Sequence, residues 1–213
     1  MRFAQIALAL FIMLRYTTHM ITIVALGNIG EEYAKTRHNV GWMVMHDIIK
    51  MHGLPELVSA SKYSADISEG VLEGKEISIL FPSTFMNKSG VSLKRYREAK
   101  GMEEELIVIH DEVDLPFGSI KISRDRGAGG HNGVKSIIDV CGGKGFTRIR
   151  IGISPTGFFG NLKRPKGEKL PKFVLGEFKP GELKKMGEIV EKVDEALLYI
   201  VRDGVERAMQ RVN

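Results

Sequence analysis

The chain has 213 residues, of which 43% are hydrophobic and 27% are charged, so we expect one globular domain with a substantial core. The formal net charge of +5 is compatible with a polyanionic partner but does not require one. The single cysteine, Cys141, excludes an internal disulfide framework and a cysteine-based zinc site. A reducing cytoplasm is the compartment that fits best.

Residues 1–19 differ in composition from the rest of the chain. Residues 3–14 are apolar except for Gln5, and Arg2 and Arg15 flank them. No small-residue cleavage site follows, and the run is shorter than the ~20 residues of a spanning helix. A targeting segment and a dispensable N-terminal extension, which includes an upstream start codon read in error, are the two alternatives. We favour the extension, so the folded domain is predicted over residues 20–213 with no membrane attachment.

The first half of the domain alternates strand and helix patterns. Residues 21–26 form a continuous apolar run that ends at Gly27, which is typical of a buried strand. Residues 40–52 carry apolar side chains at helical spacing and stop at Gly53. Two strands are predicted on either side of the Glu73-Gly74 turn, and the second includes residues 77–81. A helix is predicted over residues 91–100, closed by Gly101.

The second half continues the alternation. Strands are predicted at residues 106–110, 119–123 and 147–153, and helices at residues 133–140 and 180–202. This order predicts an α/β fold, with a single domain and a mixed, mostly parallel central sheet flanked by helices on both faces. In such sheets, ligands bind beyond the carboxyl ends of the strands, where the polar runs of this chain are expected to meet.

Two of those polar runs contain a possible acid–base pair. His38 lies in Thr36-Arg37-His38-Asn39, and the run His110-Asp111-Glu112-Val113-Asp114 directly follows a predicted strand. An acid at a strand end can hold a histidine in one tautomer and stabilise its protonated form. Neither run is followed by a serine or cysteine in a nucleophile-type turn. The pattern therefore favours a histidine that activates water.

Other polar segments allow more than one interpretation. The turn Gly27-Asn28-Ile29-Gly30 lacks the third glycine of a dinucleotide site, which leaves Asn28 either as a substrate-contacting amide or as a residue tolerant of a left-handed turn. Asn87 and Ser89 could equally cap a helix. Residues 127–133 are typical of an anion-binding turn but lack the end of a P-loop. Possible zinc ligands also exist, namely His38, His110, Asp111 and His131, but hydrogen bonding explains them more simply.

Taken together, the motifs resemble bacterial-type peptidyl-tRNA hydrolases. The resemblance rests on Asn28, Glu32-Tyr33, Thr36-Arg37-His38-Asn39, Thr84-Phe85-Met86-Asn87, His110-Asp111-Glu112-Val113-Asp114-Leu115-Pro116, Gly129-Gly130-His131-Asn132-Gly133, Arg148-Ile149-Arg150-Ile151-Gly152-Ile153 and Phe173-Val174-Leu175-Gly176. These runs have the order and spacing of the family and extend from Met20 to the C-terminus.

The resemblance implies a monomeric cytoplasmic enzyme, without metal or cofactor, that cleaves the ester between a stalled peptide and its tRNA and so recycles the tRNA. By position, His38 matches the catalytic base and Asp111 the acid that orients it. Asn28 and Asn132 match catalytic amides. The residues that match substrate-binding positions are Tyr33, Met86, Asn87 and His131.

The tRNA-facing surface matches the family less closely. Lys121 and Arg150 match basic positions, Ser123 replaces a second lysine, and Arg124 and Arg126 are hypothetical substitutes in phosphate contact. Ile29 also replaces a proline usual in the family. Residues 158–172 are longer than usual and hold five cations against one acid, which fits a solvated loop or an electrostatic arm for the tRNA. Two rival functions are an RNA-binding relative without hydrolysis and a metal-dependent hydrolase.

Overall fold

The structure is a computed structural model that describes residues 20–100 and 105–213. One sheet contains the seven strands β1 Ile21–Ala25, β2 Val58–Ala60, β3 Ala65–Leu72, β4 Lys75–Pro82, β5 Glu105–Pro116, β6 Ile120–Ser123 and β7 Thr147–Ser154, in the spatial order β2-β3-β4-β1-β5-β7-β6. The four central strands β4, β1, β5 and β7 are parallel, and the strands outside them pair antiparallel. The predicted α/β class with a mixed, mostly parallel sheet is confirmed.

Seven α-helices are found among the described residues: α1 Val40–Met51, α2 Ser89–Lys100, α3 Asn132–Cys141, α4 Lys169–Val174, α5 Pro180–Leu183, α6 Met186–Asp203 and α7 Val205–Val212. Buried side chains of α1, α6 and α7 share one hydrophobic core with the sheet, and those of α2 and α3 share a second. The helices therefore cover both faces, as the apolar strand runs predict.

Two elements differ from their predicted bounds. The strand predicted over residues 106–110 continues through the polar run to Pro116, so Asp111 lies within β5 rather than after it. The helix predicted over residues 180–202 is divided into α5 and α6, because the chain turns at Lys184 and Lys185 while the apolar spacing continues across the break. Residues 1–19 and Gly101 lie outside the described residues. In the described ranges, no helix has the length and apolar character needed to cross a bilayer.

The site depends on the unequal lengths of neighbouring strands. β1 ends at Ala25, opposite Ile109, whereas β5 continues beyond that level. Helix α1 begins above this step and packs closely on it, because a Cβ atom on Gly41 would lie 2.7 Å from the Ile109 carbonyl oxygen. The residues just before α1 are thereby held next to the half of β5 that extends beyond β1.

Candidate active site

The turn before α1 is bonded to the turn after β1 through two asparagines. The backbone N–H of Asn28 donates to Asn39 Oδ1, and Asn39 Nδ2 donates to the Asn28 carbonyl oxygen, both at 2.9 Å. This reciprocal pair is buried, so it fixes the backbone of Asn28 relative to the residue that follows His38. The side chains of Asn28 and His38 are thereby held above the step between β1 and β5.

Three ionisable side chains meet at this step. His38 Nδ1 lies 2.8 Å from Asp111 Oδ1, and His131 Nε2 lies 2.9 Å from the same oxygen. The exposed fractions of the three side chains are 11% for His38, 2% for Asp111 and 8% for His131. The carboxylate of Asp111 is therefore held between two imidazole rings and is almost completely removed from water.

The hydrogen bonds determine the tautomer of each ring. His131 is the N-cap of α3, and its Nδ1 accepts from the backbone N–H groups of Gly133 and Val134 at 3.1 and 3.3 Å. An accepting Nδ1 carries no proton, so Nε2 is the protonated nitrogen that donates to Asp111. His38 donates to Asp111 from Nδ1, which leaves its Nε2 unprotonated in the neutral ring. A ring nitrogen in that state can accept a proton from water.

The surroundings shift the pKa values in opposite directions. Burial alone would lower the pKa of His38, but the charge of Asp111 and the hydrogen bond to it raise that pKa above the ordinary value of 6.5. Burial would raise the pKa of Asp111, but the two histidines lower it far below its usual range. Asp111 therefore remains a carboxylate, and His38 is a stronger base than a free imidazole.

A neighbouring histidine has a different environment. His110 Nδ1 lies 2.7 Å from the carbonyl oxygen of Asp111, and the ring contacts His131 edge-on. Burial is the largest cause that holds the pKa of His110 well below its ordinary value. His110 is therefore a neutral side chain that packs beneath the pair of His131 and Asp111.

The amide of Asn28 has a defined orientation. Its Oδ1 accepts the backbone N–H of Met86 at 2.8 Å, so its Nδ2 is the end of the amide that can donate. Met86 packs closely beside this amide against α3, because a Cβ on Gly133 would lie 2.4 Å from Met86 Sδ. The glycine at position 133 thus leaves room for Met86 beside the start of α3.

These groups line one cleft with a volume of about 330 Å³, which is the size of a small-ligand site. The residues that line it are Asn28, Tyr33, His38, Phe85, Met86, Asn87, Asp111, Glu112, Val113, Ala128, Gly129, Gly130, His131, Asn132, Leu170, Pro171, Val174 and Leu175. The cleft thus combines a histidine–carboxylate pair, three asparagine amides and an apolar wall.

Comparisons with known proteins bear on this cleft. The family model described as peptidyl-tRNA hydrolase matches residues 22–213. The chain belongs to the peptidyl-tRNA hydrolase family. A curated peptidyl-tRNA hydrolase from Thermodesulfovibrio yellowstonii is 41% identical over 91% of this chain and 99% of its own length. Another, from Caldanaerobacter subterraneus subsp. tengcongensis, is 40% identical over 91% of this chain and 100% of its own length. The predicted family resemblance is confirmed.

A solved structure extends the likeness to the whole fold. The crystal structure of peptidyl-tRNA hydrolase from Acinetobacter baumannii matches with a TM-score of 0.80 and 31% identity. The match covers 92% of this chain and 95% of that chain. The sheet and the helices that position the cleft are therefore those of a peptidyl-tRNA hydrolase.

The eight residues predicted for catalysis and substrate binding lie together in this cleft. They are His38, Asp111, Asn28, Asn132, Tyr33, Met86, Asn87 and His131. Asn132 is the first residue of α3, and Asn87 lies in a short turn before α2. Asn28 and Asn87, for which the sequence left a turn or cap role open beside substrate contact, both lie at the cleft wall.

The predicted tRNA-contacting cations are not in equivalent positions. Lys121, Arg124 and Arg126 are exposed on or beside β6. Arg150 is only 5% exposed, and its guanidinium forms an ion pair with Glu112 at 2.9 Å. The charge of Arg150 is therefore directed inward to an acid at the cleft wall, and its contact with tRNA stays a prediction.

Three groups at the site were missed by sequence reasoning. Asn39 was quoted within a motif, but its bond to Asn28 joins residues 11 positions apart and has no local signal. The apolar wall formed by α4 was also missed. Arg37 ties this wall to the turn that holds His38, since its guanidinium donates to the Gly176 carbonyl at 3.2 Å and to Glu182 at 2.8 Å.

A metal ion would use the same atoms as the hydrogen bonds. Among the described residues, one group of side chains could hold a metal ion, namely His38, Asp111 and His131. Their possible ligand atoms lie within 4.8 Å of one another. His110, the fourth ligand of the metal alternative, is bonded instead to a backbone carbonyl. The 2.8 and 2.9 Å separations from one carboxylate oxygen are normal for hydrogen bonds.

Proposed function

We propose that this chain hydrolyses the ester between the peptide and the terminal ribose of peptidyl-tRNA, which releases the peptide and recycles the tRNA. The observation that carries the proposal is the His38–Asp111 pair, 2.8 Å apart in the main cleft of a peptidyl-tRNA hydrolase family member. The orientation of that pair gives His38 an unprotonated Nε2, which is the state required of a general base.

The reaction needs one base and water. His38 Nε2 takes a proton from a water molecule as its oxygen attacks the ester carbonyl carbon, and the carbonyl oxygen becomes an oxyanion. When the tetrahedral intermediate collapses, the bond to the ribose oxygen breaks and the His38 imidazolium returns the proton to that leaving oxygen. Asp111 stabilises the imidazolium throughout. Because water is the nucleophile, no covalent enzyme intermediate is required.

The amides have separate tasks in this proposal. Asn28 Nδ2 is our candidate donor to the oxyanion, because its Oδ1 is already engaged by the Met86 N–H. Asn132 lies across the same cleft and assists it. Asn87 reads the backbone of the peptide, while Tyr33 and Met86 contact its side chains. Recognition of backbone groups would allow one enzyme to accept peptides of any sequence.

His131 positions Asp111. Its Nε2–H supplies a second hydrogen bond to the carboxylate, and its Nδ1 is held by the start of α3. We also propose that the chain acts without a metal ion, as a monomer in the cytoplasm. The family resemblance, the single cysteine and the hydrogen-bond distances around Asp111 support this part of the proposal.

Replacement of His38 tests the base directly. His38→Ala should lower the kcat for peptidyl-tRNA hydrolysis by about 10²-fold or more without unfolding the protein, because general-base catalysis contributes that amount. The matched control is His52→Ala, which breaks a histidine–carboxylate pair outside the cleft, between His52 and Asp194 at 2.6 Å. The control should hydrolyse at the wild-type rate.

The same assay separates the rival functions. Wild-type protein should release peptide from peptidyl-tRNA, leave free aminoacyl-tRNA intact and be insensitive to EDTA. Loss of activity in EDTA would indicate a metal-dependent hydrolase. Absence of hydrolysis with retained tRNA binding would indicate an RNA-binding relative. Near-normal turnover by folded His38→Ala would exclude His38 as the base.

Replacement of Asp111 tests the cause of the raised pKa. The base works only when His38 is unprotonated, so wild-type kcat/KM should rise with pH through a midpoint above 6.5. In Asp111→Asn the carboxylate charge is lost and burial is uncompensated, so the pKa of His38 falls. The acid limb should therefore move to lower pH, while kcat decreases by about 10²-fold or more.

The pH profile of Asp194→Asn provides the control, because it alters the His52 pair and leaves the cleft intact. Its acid limb should coincide with that of wild type. An acid limb that stays in place in Asp111→Asn would show that another group sets the pH dependence.

Replacement of two exposed arginines tests the tRNA-facing surface. Arg124→Ala/Arg126→Ala should bind tRNA more weakly. The slope of log affinity against log salt should become shallower by roughly one to two, because a protein that makes fewer phosphate contacts releases fewer counterions when it binds. Lys50→Ala/Lys75→Ala, at the end of α1 and the start of β4, is the charge-matched control and should retain the wild-type slope. An unchanged slope in the arginine variant would remove both residues from the interface.

A further inference from the structure

The chain between β7 and α4 forms a small antiparallel hairpin. Thr156 pairs with Leu162, the Gly157 N–H donates to the Asn161 carbonyl oxygen at 2.8 Å, and the Lys163 N–H donates to Pro155 at 2.8 Å. At the end of the hairpin the Gly160 N–H donates to the Gly157 carbonyl oxygen at 3.0 Å. Phe158 and Phe159 are therefore the two central residues of a β-turn, which we call the aromatic tip (residues 157–160).

The two flanking glycines suit this turn. Gly160 has a backbone φ of +78°, which residues with a side chain rarely adopt. A Cβ on Gly157 would lie 2.3 Å from Asn161 Oδ1. The central positions of turns usually hold small or polar residues. The sequence Gly-Phe-Phe-Gly thus builds a tight turn around two large apolar side chains.

The two rings face solvent. Phe158 is 97% exposed and Phe159 is 92% exposed, and the rings contact each other edge to face with centroids 5.3 Å apart. Burial of a phenyl ring typically stabilises a protein by ~1.5–3 kcal/mol, and neither ring obtains that stabilisation within the fold. Two adjacent exposed rings at a built turn indicate a surface for a partner.

The hairpin is attached at the cleft. Arg164 forms a 2.8 Å ion pair with Asp114, which lies on β5 three residues beyond Asp111. The chain that leaves the hairpin then forms the apolar wall of the cleft through Leu170 and Pro171. The base of the hairpin is therefore fixed between the strand of the catalytic carboxylate and one wall of the cleft.

The charge around the tip identifies the kind of partner. Residues 155–172 contain a single acid, Glu168, and exposed cations at Lys163, Arg164, Lys166, Lys169 and Lys172. Exposed aromatic rings combined with cations are the arrangement that binds single-stranded nucleic acid, because rings stack on bases while cations contact phosphates. Nucleotides next to the ester must leave the cleft across its rim.

We propose that Phe158 and Phe159 stack on the unpaired bases at the 3′ end of the tRNA, while Lys163 and Lys166 contact the adjacent phosphates. This inference rests on the proposed function for the identity of the nucleic acid. The stacking is independent of base identity, because every base has a π-face. The hairpin thus holds the end of the tRNA so that the ester enters the cleft beside His38.

Three double variants separate stacking from other contacts. Phe158→Ala/Phe159→Ala removes both rings, Phe158→Leu/Phe159→Leu keeps apolar side chains without ring faces, and Phe158→Tyr/Phe159→Tyr keeps the rings. The control is Val58→Ala/Val71→Ala, which changes two apolar residues, 67% and 61% exposed, at the opposite end of the sheet. Circular dichroism verifies folding of each variant.

Binding is measured with two RNA hairpins that carry no aminoacyl group and share one stem, one with an unpaired 3′ overhang and one blunt. Wild type, the tyrosine variant and the valine control should prefer the overhang, whereas the alanine and leucine variants should lose about fivefold or more of that preference. The KM for peptidyl-tRNA should rise by a similar factor in the same two variants. The RNA assay needs no hydrolysis, so it remains informative if the proposed activity fails.

Several outcomes would overturn the inference. An alanine variant with the wild-type preference for the overhang would exclude the tip from RNA binding. Retention of the preference by the leucine variant would show that the tip makes a nonspecific apolar contact and does not stack on bases. Ring-dependent binding of wild type to mixed neutral and anionic lipid vesicles, without an overhang preference, would assign the tip to a membrane surface.

Discussion

The arrangement of the site depends on one buried charge, the carboxylate of Asp111. An ionised carboxylate with 2% of its side chain exposed is strongly unfavourable unless hydrogen bonds replace its lost hydration. Two imidazole N–H groups supply those bonds to a single oxygen. The extension of β5 beyond β1 brings the carboxylate to this position, and the close packing of Gly41 brings His38 to meet it.

The backbone of α3 also contributes to the protonation of the base. The first N–H groups of a helix lack partners within the helix, and His131 Nδ1 accepts two of them. That bond keeps Nδ1 unprotonated and directs the Nε2 proton to Asp111. Asp111 can then hold the Nδ1 proton of His38, so that His38 Nε2 faces the cleft as an acceptor. A helix cap is thus connected through three side chains to the water that is proposed to react.

Much of this was predictable from the sequence, and the exceptions have physical reasons. The strand and helix order follows from apolar periodicity, and His38 with Asp111 from acid–base chemistry. The second half of β5 was not predictable, because its polar residues are buried through partners far along the chain; Glu112, for example, is neutralised by Arg150, 38 positions later. The same pairing buries Arg150, one of the residues predicted to contact tRNA. Breaks such as that between α5 and α6 leave the apolar spacing unchanged, so periodicity cannot reveal them.

The site depends above all on two histidines that bind one carboxylate oxygen in opposite tautomers. The most direct measurement is a long-range ¹H–¹⁵N NMR spectrum of the imidazole nitrogens, recorded at a pH above the pKa of His38 and assigned with His38→Ala and His131→Ala. We expect a protonated Nδ1 and an unprotonated Nε2 for His38, and the reverse for His131. A protonated Nε2 on His38, or a protonated Nδ1 on His131, would contradict this expectation.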